Sequence, residues 1–400
     1  MSTPELSPHD FPVQASSEAV SGMSDAMEEQ SRLRFCELTP AGRGAVATLG
    51  LSGDLSLLNN WLRLVSGSFA QSVEPDRVAF GYWGTEPAEE VVYLRTSADR
   101  AEVHCHGGLA AVSCISRALL SAGARQLTPE EWLQLRQPII EAECQLALSR
   151  MTTRRTAHLA LRQCELFPQA VRRLTDCAWE EVPQALNALL AHADFGLQLS
   201  RPRTIVLSGR PNVGKSSLIN ALVGFDRSIV YDQPGTTRDV VGAETVLEGW
   251  PAEFFDTAGI RRESIGLEAA GIERARDHLN SAQLVIMVLD AQAGEQPEDA
   301  DLLAECPQAM VIWNKCDLET AELSEDGRLR VSARTGAGID RLIAECVRRL
   351  VPDVPDDSQA YPLTDGQVQR LRTLAEWARH NHRSGFQQSL REWTEADGAG

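Results

Sequence analysis

GRPNVGKSSLINAL, residues 209–222, decides how the chain is read. The apolar run TIVLS precedes it and a helical pattern follows. Gly209-x4-Gly214-Lys215-Ser216 therefore has the spacing of a phosphate-binding loop between a strand and a helix. In such a loop the glycines let backbone N–H groups close around a β-phosphate, and the helix N-terminus adds its positive dipole. Asn212, Val213, Gly214, Lys215, Ser216 and Ser217 are the candidate phosphate residues. Lys215 is placed to reach the β- and γ-phosphates, and the Ser216 hydroxyl to ligate Mg²⁺. Of the 38 Lys plus Arg in the chain, only two are lysines, Lys215 and Lys315. A bias toward arginine explains the scarcity and also singles out these two. A compact ammonium in a tight phosphate cradle is not replaceable by a planar guanidinium.

Working outward, strand and helix signals alternate from Thr204 to Val351, the pattern of a parallel α/β sheet. TIVLSG, AEFFDTAG, QLVIMVLDA, AMVIWNKCD and RLRVSA are apolar runs ending in polar motifs, where open α/β sheets bind ligands. Asp256, Thr257, Ala258 and Gly259 resemble a segment that holds Mg²⁺ and senses a γ-phosphate. Asn314, Lys315 and Asp317 belong to NKCD, whose Asp carboxylate can accept two parallel hydrogen bonds from guanine N1–H and the 2-amino group. Adenine would leave that carboxylate unpaired, which favours guanine over an ATPase reading. Ser332 and Ala333 follow the next strand, where a backbone N–H could meet guanine O6. GTP and GDP are the expected ligands.

The 400 residues allow two or three domains. Residues 1–33 are polar and aperiodic, so a disordered tail is expected. Residues 34–125 carry short strand runs and a helix near 109–122, a small α+β domain. Residues 126–200 have helical spacing, starting from Thr128-Pro129-Glu130-Glu131 as cap, first turn and acid. After the 201–352 unit and the linker PDVPDDSQAYP (352–362), helical periodicity resumes with Val368, Leu371, Leu374 and Trp377 on one side. The expected architecture is an α/β P-loop domain inserted in a discontinuous all-α domain, 126–200 and 353–400, behind the α+β domain.

No apolar run approaches the roughly 20 residues needed to cross a bilayer, so no membrane partner is expected. The N-terminus MSTPELSPHDFPVQ lacks the features of a signal peptide, and the expectation is cytoplasmic. A formal net charge of −18 argues against broad nucleic-acid binding, DNA included, while leaving room for a local basic patch. Arg154-Arg155 and Arg172-Arg173 read at least as well as solvated helix faces. The nine cysteines are scattered, with no CxxC, as in a reducing compartment. His104-Cys105-His106 alternates across a strand, so its three side chains could not converge on a metal.

The order GRPNVGKSS, GTTRD (235–239), DTAG, NKCD and SA resembles translation-factor-class GTPases, and most of all the tRNA-modification GTPase MnmE (TrmE) family. GLEAAGIERARDHL is similar to the family segment carrying a catalytic glutamate, with Glu268 the matching residue. TPAGRGAVATLGLSG (39–53), VHCHGG and SAGARQLTPEEW are similar to the family's N-terminal domain, and the likeness covers about 34–385. It implies that Asn212 holds K⁺, that Thr237 ligates Mg²⁺, that Thr236 belongs to the catalytic set, and that Glu268 orients the attacking water. Ile260 stands where Ras-like enzymes carry a water-positioning Gln, so another arrangement is needed.

The resemblance also implies a homodimer through N-terminal and G domains, a flavin-containing partner protein, tRNA as substrate, and a formyl-folate carbon donor. The match fails at several modification residues. Gly50 stands where the family has an arginine, TSADRAEV replaces an acidic TGED-type segment, and IIEAECQLALSRM lacks an Asn-Gly-Lys stretch. The family's terminal cysteine motif has no counterpart, since no cysteine follows Cys346. The expectation is thus a K⁺-stimulated GTPase of wobble-uridine modification, with folate doubtful. The alternatives are a GTPase switch or scaffold without modification chemistry, and a ribosome-assembly GTPase of the Era or Der type, which would need an RNA-binding domain.

Overall fold

The computed structural model describes residues 32–39, 44–225, 242–256, 281–318 and 327–395. The chain divides into two compact units, Met1–Leu133 and Gln134–Gly400.

In the first unit the strands are β1 Arg34–Glu37, β2 Val46–Ser52, β3 Leu62–Leu64, β4 Val78–Trp83, β5 Glu89–Arg95, β6 Arg100–His106 and β7 Arg125–Gln126. They form one sheet in the order β3-β4-β5-β6-β2-β1-β7. The helix Leu109–Ser121 buries Ala111, Ile115 and Leu119, a stripe at a spacing of four residues. On β6, Ala101, Val103 and Cys105 enter the core while Glu102, His104 and His106 take the other face. The thiol is thus parted from its two histidines, and no group of three metal-ligating side chains exists among the described residues. Leu33, placed in the tail by composition, is buried in this core. At the helix Pro129–Gln134 the expected capping box is present: Glu131 N–H donates to Thr128 Oγ1 (3.2 Å) and Thr128 N–H to Glu131 Oε2 (2.8 Å).

The second unit begins with helices Ile139–Ser149, Arg154–Arg173, Val182–Leu190 and Ala193–Leu197. The α/β segment follows, with β8 Arg203–Ser208, helix Lys215–Phe225, β9 Gly242–Leu247, β10 Trp250–Asp256, β11 Leu284–Asp290, helix Pro297–Glu305, β12 Met310–Asn314, β13 Leu329–Arg330 and helix Ile339–Leu350. Among the described residues its sheet runs β13-β12-β11-β8-β10-β9. All neighbours are parallel except β9, which pairs antiparallel with β10. β8 and β11 are covered on both faces and accordingly carry the continuous apolar runs Ile205-Val206-Leu207 and Leu284–Leu289.

Helices Asp365–Arg379 and Arg383–Thr394 return to the first set, so that Ile140, Phe167, Val171, Leu186, Leu371, Leu374 and Trp393 share one core. Burying Glu143 there requires partners. Trp393 Nε1–H donates to its Oε2 (3.0 Å) and Arg370 Nε–H to its Oε1 (3.3 Å). The 352–362 segment lacks regular structure, as its prolines predict, yet it is strapped down. Gln163 donates to Gln359 O and accepts from Tyr361 N–H, and Tyr361 is 2% exposed. A buried glutamine on a neighbouring helix replaces the hydrogen bonds that a strand or helix would have supplied.

The α/β segment meets the helices at the β9–β10 turn. Thr153 Oγ1 donates to Gly249 O (2.7 Å), Arg155 donates to Glu248 O (3.0 Å), and the Arg155 guanidinium lies 4.6 Å from the centre of the Trp250 ring. Arg172 pairs with Glu141. One arginine of each pair noted in the sequence, Arg155 and Arg172, is thus engaged within the fold.

Candidate nucleotide-binding site

The loop 209–214 leaves β8 at the centre of the sheet and enters the helix Lys215–Phe225. Two glycines are needed for close approach. A Cβ on Gly209 would lie 2.5 Å from Val288 O, and one on Gly214 would lie 2.5 Å from Asn314 Nδ2. Both also take positive φ, +141° and +95°. Val213, 2% exposed, anchors the loop in the core beneath it. On its other side, Arg210 Nε–H donates to Asp299 Oδ1 (2.9 Å), and Asp299 is fully buried at the start of the helix Pro297–Glu305. The first turn of the helix Lys215–Phe225 carries no acidic residue, leaving its N–H dipole open to an anion.

The two lysines each fasten this loop. Lys215 Nζ donates to Gly209 O (2.9 Å) and Arg210 O (3.0 Å), curled within the loop. Lys315 Nζ donates to Asn212 O (2.7 Å) and Asp290 Oδ2 (2.7 Å). Asp290, at the end of β11, feels two opposed effects. Burial alone would raise its carboxyl, but the Lys315 ammonium and the amides of Gln292 and Ala293 hold it below the ordinary value. Asn212 has φ +65°, a left-handed conformation that asparagine tolerates, and its side chain is exposed.

Asn314 is the keystone between loops far apart in sequence. It is 1% exposed; its Nδ2–H donates to Val213 O (2.9 Å) and its Oδ1 accepts from Ala333 N–H (3.1 Å). The Ala333 amide, in the turn where a backbone N–H is expected to meet guanine O6, here bonds Asn314. Ser332 Oγ–H donates to Asp317 Oδ1 (2.5 Å), and Arg334 donates to Asp317 Oδ2. These donors, Ser332 first, hold the Asp317 carboxyl below its usual range. At the other side of the loop, Ser216 Oγ–H donates to Asp256 Oδ2 (2.6 Å). Ser217 is exposed on the same helical turn.

The strand ends therefore bring together Asn212, Val213, Gly214, Lys215, Ser216, Ser217, Asp256, Asn314, Lys315, Asp317, Ser332 and Ala333. Thr236, Thr237, Thr257, Ala258, Gly259 and Glu268 lie outside the described residues. The assembly can do two things chemically. It surrounds an anion with loop amides, a helix N-terminus and an ammonium, and it presents a carboxylate on the flank to a pair of N–H donors.

A family model described as 50S ribosome-binding GTPase matches residues 204–315. The tRNA modification GTPase MnmE of Synechococcus sp. (strain RCC307) is 34% identical over 370 residues, covering 80% of this chain and 81% of that protein. This chain belongs to the MnmE family. The MnmE of Lactiplantibacillus plantarum is 32% identical over 340 residues, 72% of this chain and 73% of its own length. Among solved structures, Era in complex with MgGDPNP and a 16S ribosomal RNA segment aligns at 28% identity and a TM-score of 0.30, over 38% of this chain and 58% of that one.

Three residues of this MnmE-family site escaped the sequence reading. Asp290 had a signal, an acid closing the apolar run LVIMVLDA. Arg334 follows the SA pair directly, and only its place over Asp317 reveals its role. Asp299 had none, because its partner Arg210 lies 89 residues away.

Proposed function

We propose that the chain binds GTP and GDP with Mg²⁺ and hydrolyses GTP in the service of tRNA modification. The observation that carries this reading is the Asn314 bridge. One buried side chain ties the phosphate loop to the SA turn, so that Lys215, Ser216 and Asp317 stand around a single site. Asp317 would accept guanine N1–H and the 2-amino hydrogens, and Lys215 would exchange loop carbonyls for phosphate oxygens. Ser216 and Asp256, 2.6 Å apart, offer the oxygen donors that a hard divalent cation takes. Ser216 would ligate Mg²⁺ with Thr237 beside it, and the ion supplies charge neutralisation on the phosphates.

For hydrolysis, Glu268 would orient the attacking water, with Thr236 in the catalytic set, since Ile260 cannot. Thr257, Ala258 and Gly259 would sense the γ-phosphate. Asn212 would hold K⁺, which supplies positive charge to the transition state. Hydrolysis is expected to run faster in K⁺ than in Na⁺, and equal rates would remove that role from Asn212. The left-handed turn alone accounts for an asparagine at 212, which makes this salt comparison the deciding one.

The domain reading proposed is a tail 1–33, an α+β domain 34–125, a helical domain 126–200 with 353–400, and a G domain 201–352. The core shared by Phe167, Leu371 and Trp393 supports treating the G domain as an insertion. A homodimer through N-terminal and G domains, a flavin-containing partner and tRNA complete the reading, in the cytoplasm. No described helix is long and apolar enough to cross a membrane.

Formyl-folate is left out of this proposal. A Cβ at Gly50 would lie 2.4 Å from the Trp132 ring, so the arginine expected there has no room while Trp132, 4% exposed, stays in place. That observation favours the second reading, a GTPase switch without modification chemistry. Deleting the protein and weighing the wobble uridines of tRNA by mass spectrometry separates the two. Loss of modified uridine supports the first, and unchanged uridines dismiss it.

A further inference from the structure

The carboxylate that gives the site its base preference is already engaged from within the chain. The Asp317 side chain is 11% exposed, the floor of the site, while Arg334 is 70% exposed and reaches over it from solvent. Arg334 donates to Asp317 Oδ2 from Nε–H (2.7 Å) and from Nη2–H, and Ser332 holds Oδ1 (2.5 Å). A hydroxyl rotates away at little cost, but a two-donor guanidinium must be displaced as a unit.

We propose that Arg334 is a competing arm that stands in for guanine and tempers nucleotide affinity: its planar pair of N–H donors takes one oxygen of the Asp317 carboxylate that guanine N1–H and the 2-amino group would claim. The inference rests on the guanine-nucleotide reading above. The arm and the base compete for one carboxylate. Guanine repays the displacement with two charge-assisted hydrogen bonds, whereas a base lacking adjacent donors repays nothing. The blander account is a surface ion pair that closes the turn Ser332–Thr335, where Thr335 N–H also bonds Ser332 Oγ (3.1 Å). The two accounts differ in what happens to the ligand. A turn-closing pair leaves nucleotide affinity alone or supports it, while a competitor weakens it.

The test is a fluorescence titration of the full chain with GDP and with ADP, for wild type, Arg334→Ala and Arg334→Lys, at low and high NaCl. An exposed ion pair of this kind is worth about a 2- to 5-fold change in affinity, so Arg334→Ala binds GDP tighter by that factor at low salt. Arg334→Lys, which keeps a cation without the fork, falls between. The gap narrows as NaCl screens the pair, and ADP stays weak in all three. GDP affinity that is equal or weaker in Arg334→Ala at low salt overturns the arm, provided wild type binds GDP in preference to ADP. Should none of the three prefer GDP, the guanine reading fails first and the arm falls with it.

Discussion

Asn314→Ala tests the keystone of the site most sharply, because its effect can be worked from two hydrogen bonds. Removing the amide strands Val213 O and Ala333 N–H, both within a site where Asn314 is 1% exposed. An unpaired buried backbone group costs about 1–3 kcal/mol, so two give roughly 2–4 kcal/mol once partial relaxation is allowed. Gly214 packs against Nδ2 so closely that a Cβ there would lie 2.5 Å away, which leaves little slack for repair. Two compact units make global denaturation a poor gauge, so native-state hydrogen exchange is the assay. The Ala333 amide loses its acceptor and its protection, and the opening free energy of β8 and β12 amides falls by about 2–4 kcal/mol. Asn314→Asp keeps an acceptor for Ala333 but sets a carboxylate against Val213 O. Its native-state acidity is depressed, so its deficit grows as pH rises above the ordinary carboxyl value of about 4 and shrinks in acid. Exchange at Ala333 that is unchanged in Asn314→Ala would refute the bridge.

Three further outcomes follow from the same geometry. Gly214→Ala places a methyl at φ +95° and against Asn314 Nδ2, so nucleotide binding by equilibrium dialysis is lost along with about 1–3 kcal/mol of local stability. Asp317→Asn removes the charged acceptor, lowering GDP affinity about 10- to 100-fold. It also offers an amide N–H that suits xanthine, whose C2 oxygen is an acceptor, so competition by xanthosine diphosphate should improve. In acid, the Lys315–Asp290 contact should fail. The Asp290 carboxyl is held below its unfolded value, so its contribution is complete above about pH 4 and disappears as pH falls through the folded value. Asp290→Asn should flatten that acid limb in an exchange-versus-pH series.

The parts legible in the sequence are those whose chemistry is local. The phosphate loop needs glycines at two backbone positions and a lysine between strand and helix, so its spacing alone announces it. The capping box at Thr128 and Glu131 is equally local and was read correctly to the residue. The stripe Val368, Leu371 and Leu374 was also plain, although Trp377 is only partly buried and Ala378 takes the tighter place. What stayed hidden joins distant segments. Trp132 fills the space beside Gly50, Gln163 straps residues 359–361, and Arg155 caps the turn at Glu248. Each is a pairing across dozens of residues, set by packing after the elements have formed. Ala333 shows where that line falls. Its position was legible, but the direction of its N–H depends on Asn314, 19 residues upstream.

The central claim is that one carboxylate and one stitched phosphate loop make this a guanine-nucleotide site. Competition of GDP against ADP for the purified full chain with Mg²⁺, read by isothermal titration, tests it most directly. The account predicts GDP binding at least about 100-fold tighter than ADP, since adenine offers the Asp317 carboxylate no pair of N–H donors in return for displacing those of Arg334. Equal affinities for the two would contradict it.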